Sequence, residues 1–154
     1  MTTFLDTSVL VAGLIDFGPQ SAPAQSVMQA VSERRVKAPA TAWHCCLEFF
    51  SVSTRLPPEF RVPPADAARL LDGEVFARMA VYDLPPQDRQ PMLQAIARDG
   101  VLGGRVYDAH IGEIARAAGA QVVITDNRRH FLSALRHGLR VETPSEFLAS
   151  LKKR

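Results

Sequence analysis

The sequence predicts an α/β fold, three layers deep, with a mainly parallel sheet of about five strands. Three observations predict it. Short apolar or β-branched runs alternate with segments whose apolar residues recur at helical spacing. Crossovers that carry helices make neighbouring strands parallel and cover the sheet on both faces. The two clearest strands, around Phe4-Leu5 and over Gln121-Val122-Val123-Ile124-Thr125, run into acids, Asp6 and Asp126, and open parallel sheets place their working site at the carboxyl ends of the strands.

Taken in order, the first strand delivers Asp6 at its tip. Val9 to Ile15 forms a first helix, with Thr7 or Ser8 as its cap and Gly18-Pro19 as its break. Ala24, Val27, Met28 and Val31 mark a second helix from Pro23 to about Arg35. Val36-Lys37-Ala38-Pro39 is a second strand. Thr41 caps a helix that carries Trp43, Leu47 and Phe50 and runs to about Leu56, where Pro57-Pro58 ends it. Proline in the first turn suits a helix from Val62 to about Val75. Met79 to Leu84 is a third strand, and Pro85 opens a helix through Met92, Leu93 and Ile96 to Gly100.

Gly103-Gly104-Arg105 leads into a helix from Val106 to Ala118, whose stripe is Tyr107, Ile111, Ile114, Ala115 and Ala118, with Gly119 as the stop. After the strand at 121–125 comes a short helical piece through Phe131 and Leu135. Leu139 to Glu142 is the last strand, and Pro144 starts a terminal helix that ends in a frayed basic tail, Lys152-Lys153-Arg154. Residues 1–147 make one domain, and 148–154 are the helix end and tail.

The 154 residues, 47% hydrophobic and 22% charged, suit a single globular domain with a real core. A net charge of +2 is compatible with a nucleic-acid partner without deciding for one. No apolar run approaches the roughly 18 residues of a membrane span, and no basic n-region precedes an apolar one, so no membrane association and a cytoplasmic location are expected. The adjacent Cys45 and Cys46 fit no zinc spacing and read as buried, reduced thiols.

The chemistry lies in the acids. Asp6 follows the first strand, Glu48 sits among apolar residues of a helix, Asp108 lies in a helix's first turn, and Asp126-Asn127 follows the late strand. Singly, Asp108 reads equally well as a macrodipole partner, and Glu48 as a side chain reaching solvent or pairing with Arg55. Together they make clustered carboxylates, which raise one another's pKa values unless a cation compensates. An oxygen donor set favours Mg2+, with Mn2+ as the alternative, over zinc. Arg105, Arg128, Arg129 and His130 stand beside these acids in sequence and are candidates to hold substrate phosphates. His44, His110, His130 and His137 have no metal-ligand spacing and read as structural where the metal is concerned.

On four stretches, Phe4-Leu5-Asp6-Thr7-Ser8-Val9-Leu10, Leu47-Glu48-Phe49-Phe50-Ser51-Val52, Gly103-Gly104-Arg105-Val106-Tyr107-Asp108-Ala109 and Val123-Ile124-Thr125-Asp126-Asn127, the chain resembles the PIN-domain ribonucleases, and within them the VapC toxins of bacterial toxin–antitoxin pairs. The resemblance implies a PIN-like fold and hydrolysis of RNA, tRNA or rRNA, by a Mg2+-dependent endoribonuclease. It assigns Asp6 and Asp108 to the metal and Glu48 to the third acid of the pocket. Its fourth position, two after Thr125, falls on Asn127, with Asp126 one after, so both enter the candidate set. Thr7 and Thr125 would orient ligands through their hydroxyls. The resemblance further implies a homodimer and a VapB-like antitoxin seated in a groove over Phe49 to Leu70, with Phe50, Leu56 and Leu70 taking its anchors.

Three rivals compete. A phosphatase using Asp6 as a covalent nucleophile would need a second Asp where Ser8 stands. A phosphoacceptor receiver would need its acid on a middle strand and a lysine after a late one. A degenerate module that binds RNA or protein without cutting would keep the fold and lose the chemistry.

Overall fold

A computed structural model describes residues 2–131 and 138–153. Five strands form one sheet in the order β3-β2-β1-β4-β5, all parallel. They are β1 (Thr2–Leu5), β2 (Pro39–Ala42), β3 (Ala80–Tyr82), β4 (Ala120–Ile124) and β5 (Arg140–Glu142). The helices are α1 (Thr7–Leu14), α2 (Ala22–Ser32), α3 (Trp43–Ser53), α4 (Pro64–Leu70), α5 (Arg89–Arg98), α6 (Arg105–Ala117) and α7 (Pro144–Lys152). They cover the sheet to give the three layers the element order predicts. Phe4, Leu5, Val122, Val123 and Ile124 are fully buried, as expected of central parallel strands covered on both faces.

The chain builds outward from β1 through β2 to β3, then returns to lay β4 on the other side of β1. Between β1 and β4 the strand order therefore reverses, and a crevice opens at the carboxyl ends there. Asp6 follows β1 and Asp126-Asn127 follows β4, which puts these residues at that crevice. The junction is tied by the backbone, since Asp6 N donates to Ile124 O at 3.0 Å.

The second strand begins at Pro39, three residues later than the sequence pattern suggests. Its register is set by β1, with Thr3 opposite Pro39 and Phe4 opposite Ala40, and proline is tolerated as a strand's first residue. Before it the chain turns through Arg34 and Ala38, both at positive φ. Thr41 is therefore a strand residue, fully buried, and its Oγ1 donates to Leu5 O at 2.7 Å rather than capping a helix. The cap of α1 is likewise Asp6, with neither Thr7 nor Ser8 in that place.

Helix α3 stops at Ser53, short of Leu56. The segment from Val62 to Val75 divides into α4 and a wider π-type turn over Leu71–Phe76, which keeps Leu71 and Val75 buried. Strand β3, at one edge of the sheet, has three residues instead of six. On α6 the buried stripe is Ile111, Ile114 and Ala115, while Tyr107 is 60% exposed. Gly119 ends this helix at φ +72°, a conformation glycine adopts without a Cβ penalty. After β4, a 3-10 turn spans Arg128–Phe131; the helical continuation through Leu135 falls outside the described residues. Thr143 caps α7, its Oγ1 accepting from Glu146 N at 3.2 Å with Pro144 in the first turn. Lys152 closes that helix rather than fraying, and Arg154 lies outside the described residues.

Helix α1 packs on α2 and α3, and α2 also packs on α7. The first of these contacts depends on Gly13, where a Cβ would lie 2.4 Å from Met28 Cγ and 3.0 Å from Ala24 O. Helix α6 lies against β2 and β4 with α5 beside it. Cys45 and Cys46 are free and buried, and burial pushes the Cys45 thiol up to about 12, so it stays protonated and inert. Among the described residues no helix is long and apolar enough to cross a membrane.

Candidate active site

One cavity of about 390 Å³ collects acids from three helical segments and an amide from the loop after β4. Its lining includes Asp6, Thr7 and Ser8 at the start of α1, Glu48 on α3, Asp108 on α6, and Asn127 and His130 after β4. Asp6, Glu48 and Asp108 thus share one space, although they come from well-separated parts of the sequence. Asp126 is not among the lining residues. It is exposed, and its backbone N–H donates to Ser8 Oγ at 3.1 Å. Asn127, two residues after Thr125, lines the cavity instead.

Asp6 is 5% exposed and is held by hydroxyls. Thr125 Oγ1 donates to its Oδ2 at 2.8 Å and Ser8 Oγ to the same oxygen at 3.0 Å. Thr125, itself fully buried, also accepts from Asn127 N at 2.9 Å, so one hydroxyl joins the Asp6 carboxylate to the loop after β4. Burial raises the Asp6 pKa above the ordinary aspartate value; these hydrogen bonds pull it down, and the charge of Glu48 pushes it further up.

Glu48 has the opposite environment. His44, one turn earlier on α3, brings Nε2 to 3.0 Å from Glu48 Oε1, and Thr7 Oγ1 donates to the same oxygen at 3.3 Å. The hydrogen bond from His44 is the largest cause holding Glu48 below its usual range. The partner of Glu48 is thus His44 and not Arg55, which lies beyond the far end of α3. His44 Nδ1 in turn meets His110 Nδ1 at 2.8 Å. Either ring can donate in that contact, depending on tautomer. Burial, and then the neighbouring His44, keep His110 below its ordinary pKa.

Asp108 is raised by burial and by Glu48, against the pull of His130, His44 and Arg105. His130 Nδ1 stands 3.4 Å from Asp108 Oδ2. The three carboxylates therefore differ. Glu48 is kept ionised, and its charge discourages ionisation of the other two. Groups whose neighbours push their pKa values apart in this way mark candidate functional sites.

The donor set presented to the cavity by the acids and Asn127 is oxygen throughout, which matches a hard divalent cation. Among the described residues, no group of three or more His, Cys, Asp or Glu side chains is arranged to hold a metal ion as it stands. The fit is thus one of donor chemistry.

Sequence reasoning missed the parts that Ser8 and His44 play, and it placed His130 with phosphates rather than beside Asp108. The i, i+4 spacing of His44 and Glu48 is a legible signal. The Asp108–His130 and Ser8–Asp6 contacts have no sequence signal beyond nearness to acids. Of the candidate arginines, Arg105 and Arg129 line a second cavity of about 210 Å³ that shares Asp108 and His130 with the first. Arg128 turns away and pairs with Glu146 at the start of α7.

Comparison with known proteins agrees with this architecture. The family model described as PIN domain matches residues 2–129. The ribonuclease VapC40 of Mycobacterium tuberculosis is 33% identical over 123 residues, which is 80% of this chain and 85% of that one. Among solved structures, Mycobacterium tuberculosis VapC20, described as a sarcin–ricin loop cleaving toxin, superposes with a TM-score of 0.63 at 14% identity, covering 89% of this chain and 95% of its own. VapBC2 from Rickettsia felis, bound to a promoter DNA fragment, gives 0.61 at 16% identity over 93% of this chain and 98% of its own.

Proposed function

The chain belongs to the PIN-domain family, alongside the VapC ribonucleases, and on that premise we propose that it is the endoribonuclease toxin of a VapBC pair, hydrolysing RNA with Mg2+ or Mn2+. The observation that carries the reading is the convergence of Asp6, Glu48, Asp108 and Asn127 on one cavity at the reversal of strand order. Asp6 and Asp108, with Glu48 and the Asn127 amide oxygen, would hold the ion. Asp126, exposed and off the cavity, is not needed for that set. A divalent ion bound there would lower the pKa of a water and neutralise charge on phosphate oxygens.

The protein's own part is positioning and proton transfer. Glu48, kept ionised by His44, is the group suited to take the proton of the attacking water onto its carboxylate. Thr125 and Ser8 fix the Asp6 carboxylate, and Thr7 fixes Glu48, so neither has to search for its rotamer when substrate arrives. Water oxygen then bonds to phosphorus as the bond from phosphorus to one ribose oxygen breaks, and that oxygen leaves with the bonding pair and takes a proton from solvent. Structured RNA of the tRNA or rRNA class is the substrate we propose, reached in the cytoplasm, with the nuclease domain over residues 1–147.

A homodimer and a VapB-like antitoxin are the partners we propose. Support comes from a groove lined by Trp43, Cys46, Leu47, Phe50, Leu71 and Phe76, with Asp72 at its side. Trp43, Leu47, Phe50 and Phe76 are each between 37% and 53% exposed, and they form one patch rather than apolar side chains scattered singly. Phe50, expected as an anchor, lines this groove, whereas Leu56 and Leu70 are part-buried and stand outside its lining.

The test is cleavage of tRNA and rRNA by the purified protein with Mg2+, with Mn2+ and with EDTA, repeated with Asp6→Asn and Asp108→Asn. Cleavage restored by the ions and lost in both variants is expected. Undiminished cleavage by Asp6→Asn, or by the wild type in EDTA, would overturn the reading.

A further inference from the structure

The acid cavity has a problem with its own substrate, since three carboxylates face an RNA backbone carrying one negative charge per phosphate. Cations beside the cavity are what would draw that backbone in. Among the described residues lining the two cavities that adjoin the acid cavity, arginines stand in one and not in the other. On one flank, Arg105 and Arg129 line the cavity of about 210 Å³ walled by Asp99, Gly100 and Val101, which joins the acid cavity through Asp108 and His130. On the other flank, a cavity of about 320 Å³ shares Glu48 but is lined by Trp43, His44, Leu47, Ser51, Asp83 and His110, with no arginine or lysine.

We infer that the Arg105–Arg129 cavity is a binding subsite for one backbone phosphate, the neighbour of the phosphate being cut, and that it sets the direction in which RNA crosses the acids. The inference rests on the nuclease reading above and adds to it where the chain is held. Arg105 opens α6 and lies one turn before Asp108, on the same side of the helix. Arg129 comes from the turn after β4, the segment that also presents Asn127 to the acids. Two guanidiniums from different elements therefore converge beside one metal-site candidate. Neither is drawn into an ion pair among the described residues, whereas Arg128, between Asn127 and Arg129 in sequence, is taken by Glu146. Both converging arginines keep their fork of N–H donors for phosphate oxygens.

The experiment uses the full-length protein and short single-stranded RNAs derived from a cleaved substrate, each with one phosphate replaced by a neutral methylphosphonate. Binding is measured with Asp6→Asn as the non-cleaving background, and kcat and KM with the otherwise wild-type chain. Arg105→Ala with Arg129→Ala should weaken RNA binding about tenfold or more. It should also flatten the slope of log affinity against log salt by about 0.7 for each phosphate the protein no longer neutralises. Arg128→Ala should change neither.

One methylphosphonate position, adjacent to the cleaved bond, should cost the arginine-intact protein affinity and cost the double variant nothing further. The loss should fall on KM with kcat kept, and Mg2+ affinity should be unchanged. If no single position couples to the arginines, or if Arg128→Ala weakens binding as much as the double variant, the subsite is wrong. If instead kcat and Mg2+ affinity fall together, Arg105 acts through Asp108 and the subsite is equally overturned. Metal-dependent cleavage by the wild type stands apart from all these outcomes, so failure of the subsite and failure of the nuclease reading are distinguishable.

Discussion

At Asp6 a carboxylate is held where the protein alone does not favour its charge. Its pKa is raised by burial, so ionising it opposes folding. The contribution it makes to stability is fully present below the ordinary aspartate value of 3.8 and is lost as pH rises through the higher native value. At neutral pH the metal-free protein therefore carries the cost. Asp6→Asn keeps an acceptor for Thr125 and Ser8 while removing the charge, so it should raise the melting temperature at pH 7 and leave it nearly unchanged at pH 3. Saturating Mg2+ should raise the melting temperature of the wild type and not of this variant, because ligand binding stabilises only the state that binds. Thermal scans at the two pH values with and without Mg2+ check both statements; a lower melting temperature for Asp6→Asn at pH 7 would contradict the burial argument.

Glu48 tests the other sign. Its pKa lies below the usual range chiefly because His44 donates to it. Removing that donor in His44→Ala should move the Glu48 titration upward, read by carboxyl-carbon NMR, and carry the acidic limb of the cleavage profile upward with it. Thr125→Val removes a hydroxyl that orients Asp6 and should cost about 10- to 100-fold in activity or metal affinity, as removal of such supporting hydrogen bonds does elsewhere. A limb that stays in place, or a Thr125→Val protein with full activity, would show that these contacts do not govern the acids.

Elements carry the acids to one place, and the packing of α1 sets how firmly. Helix α1 begins at the residue after Asp6 and crosses α2 at Gly13, where Met28 and the Ala24 carbonyl leave no room for a methyl group. Gly13→Ala gains helix propensity but must push α1 off α2. The clash should win, with a net loss of about 1–3 kcal/mol in urea unfolding. Because displacement of α1 moves Thr7 and Ser8 together, cleavage should fall further than stability alone accounts for. The same dominance of packing over local signal holds at Thr41. A threonine just before an apolar helical run is a good cap candidate, yet the parallel register against β1 requires it as a strand residue, buried and bonded to Leu5 O.

Across the whole molecule, the acid cavity and the apolar groove of α3, α4 and the π-type turn share one helix. On α3, Glu48 lines the first, while Trp43, Leu47 and Phe50 line the second. A partner on the groove would thus sit beside the acids without touching the strands that hold them. Phe76, 45% exposed in the groove, is suited to separate the two functions. Phe76→Asp gives up a half-buried ring that packs on Trp43 and should cost about 1–2 kcal/mol while leaving the protein folded. It should retain metal-dependent cleavage and weaken capture of the cognate antitoxin or shift the oligomer equilibrium toward monomer. Co-purification and light scattering measure this, and unchanged partner binding would move the interface elsewhere.

Much of this is legible in the chain because it depends on local chemistry. Two continuous apolar runs ending beside Asp6 and Asp126, alternating with helical periods, are enough for a parallel sheet and its carboxyl rim. Asp6, Glu48 and Asp108 announce themselves as acids in places where acids need a reason. Tertiary structure alone decided the rest. Asp126 gives its N–H to Ser8, 118 residues away, while Asn127 lines the cavity, a placement set by contacts across the fold. Arg128 pairs with a glutamate of α7, while Arg129 lines the cavity beside Asp108. That Glu48 stays charged while its neighbours resist charge depends on His44 and on shared burial. Residue type and period are properties of neighbouring positions, whereas burial, partner and pKa belong to whatever the fold brings within a few ångströms.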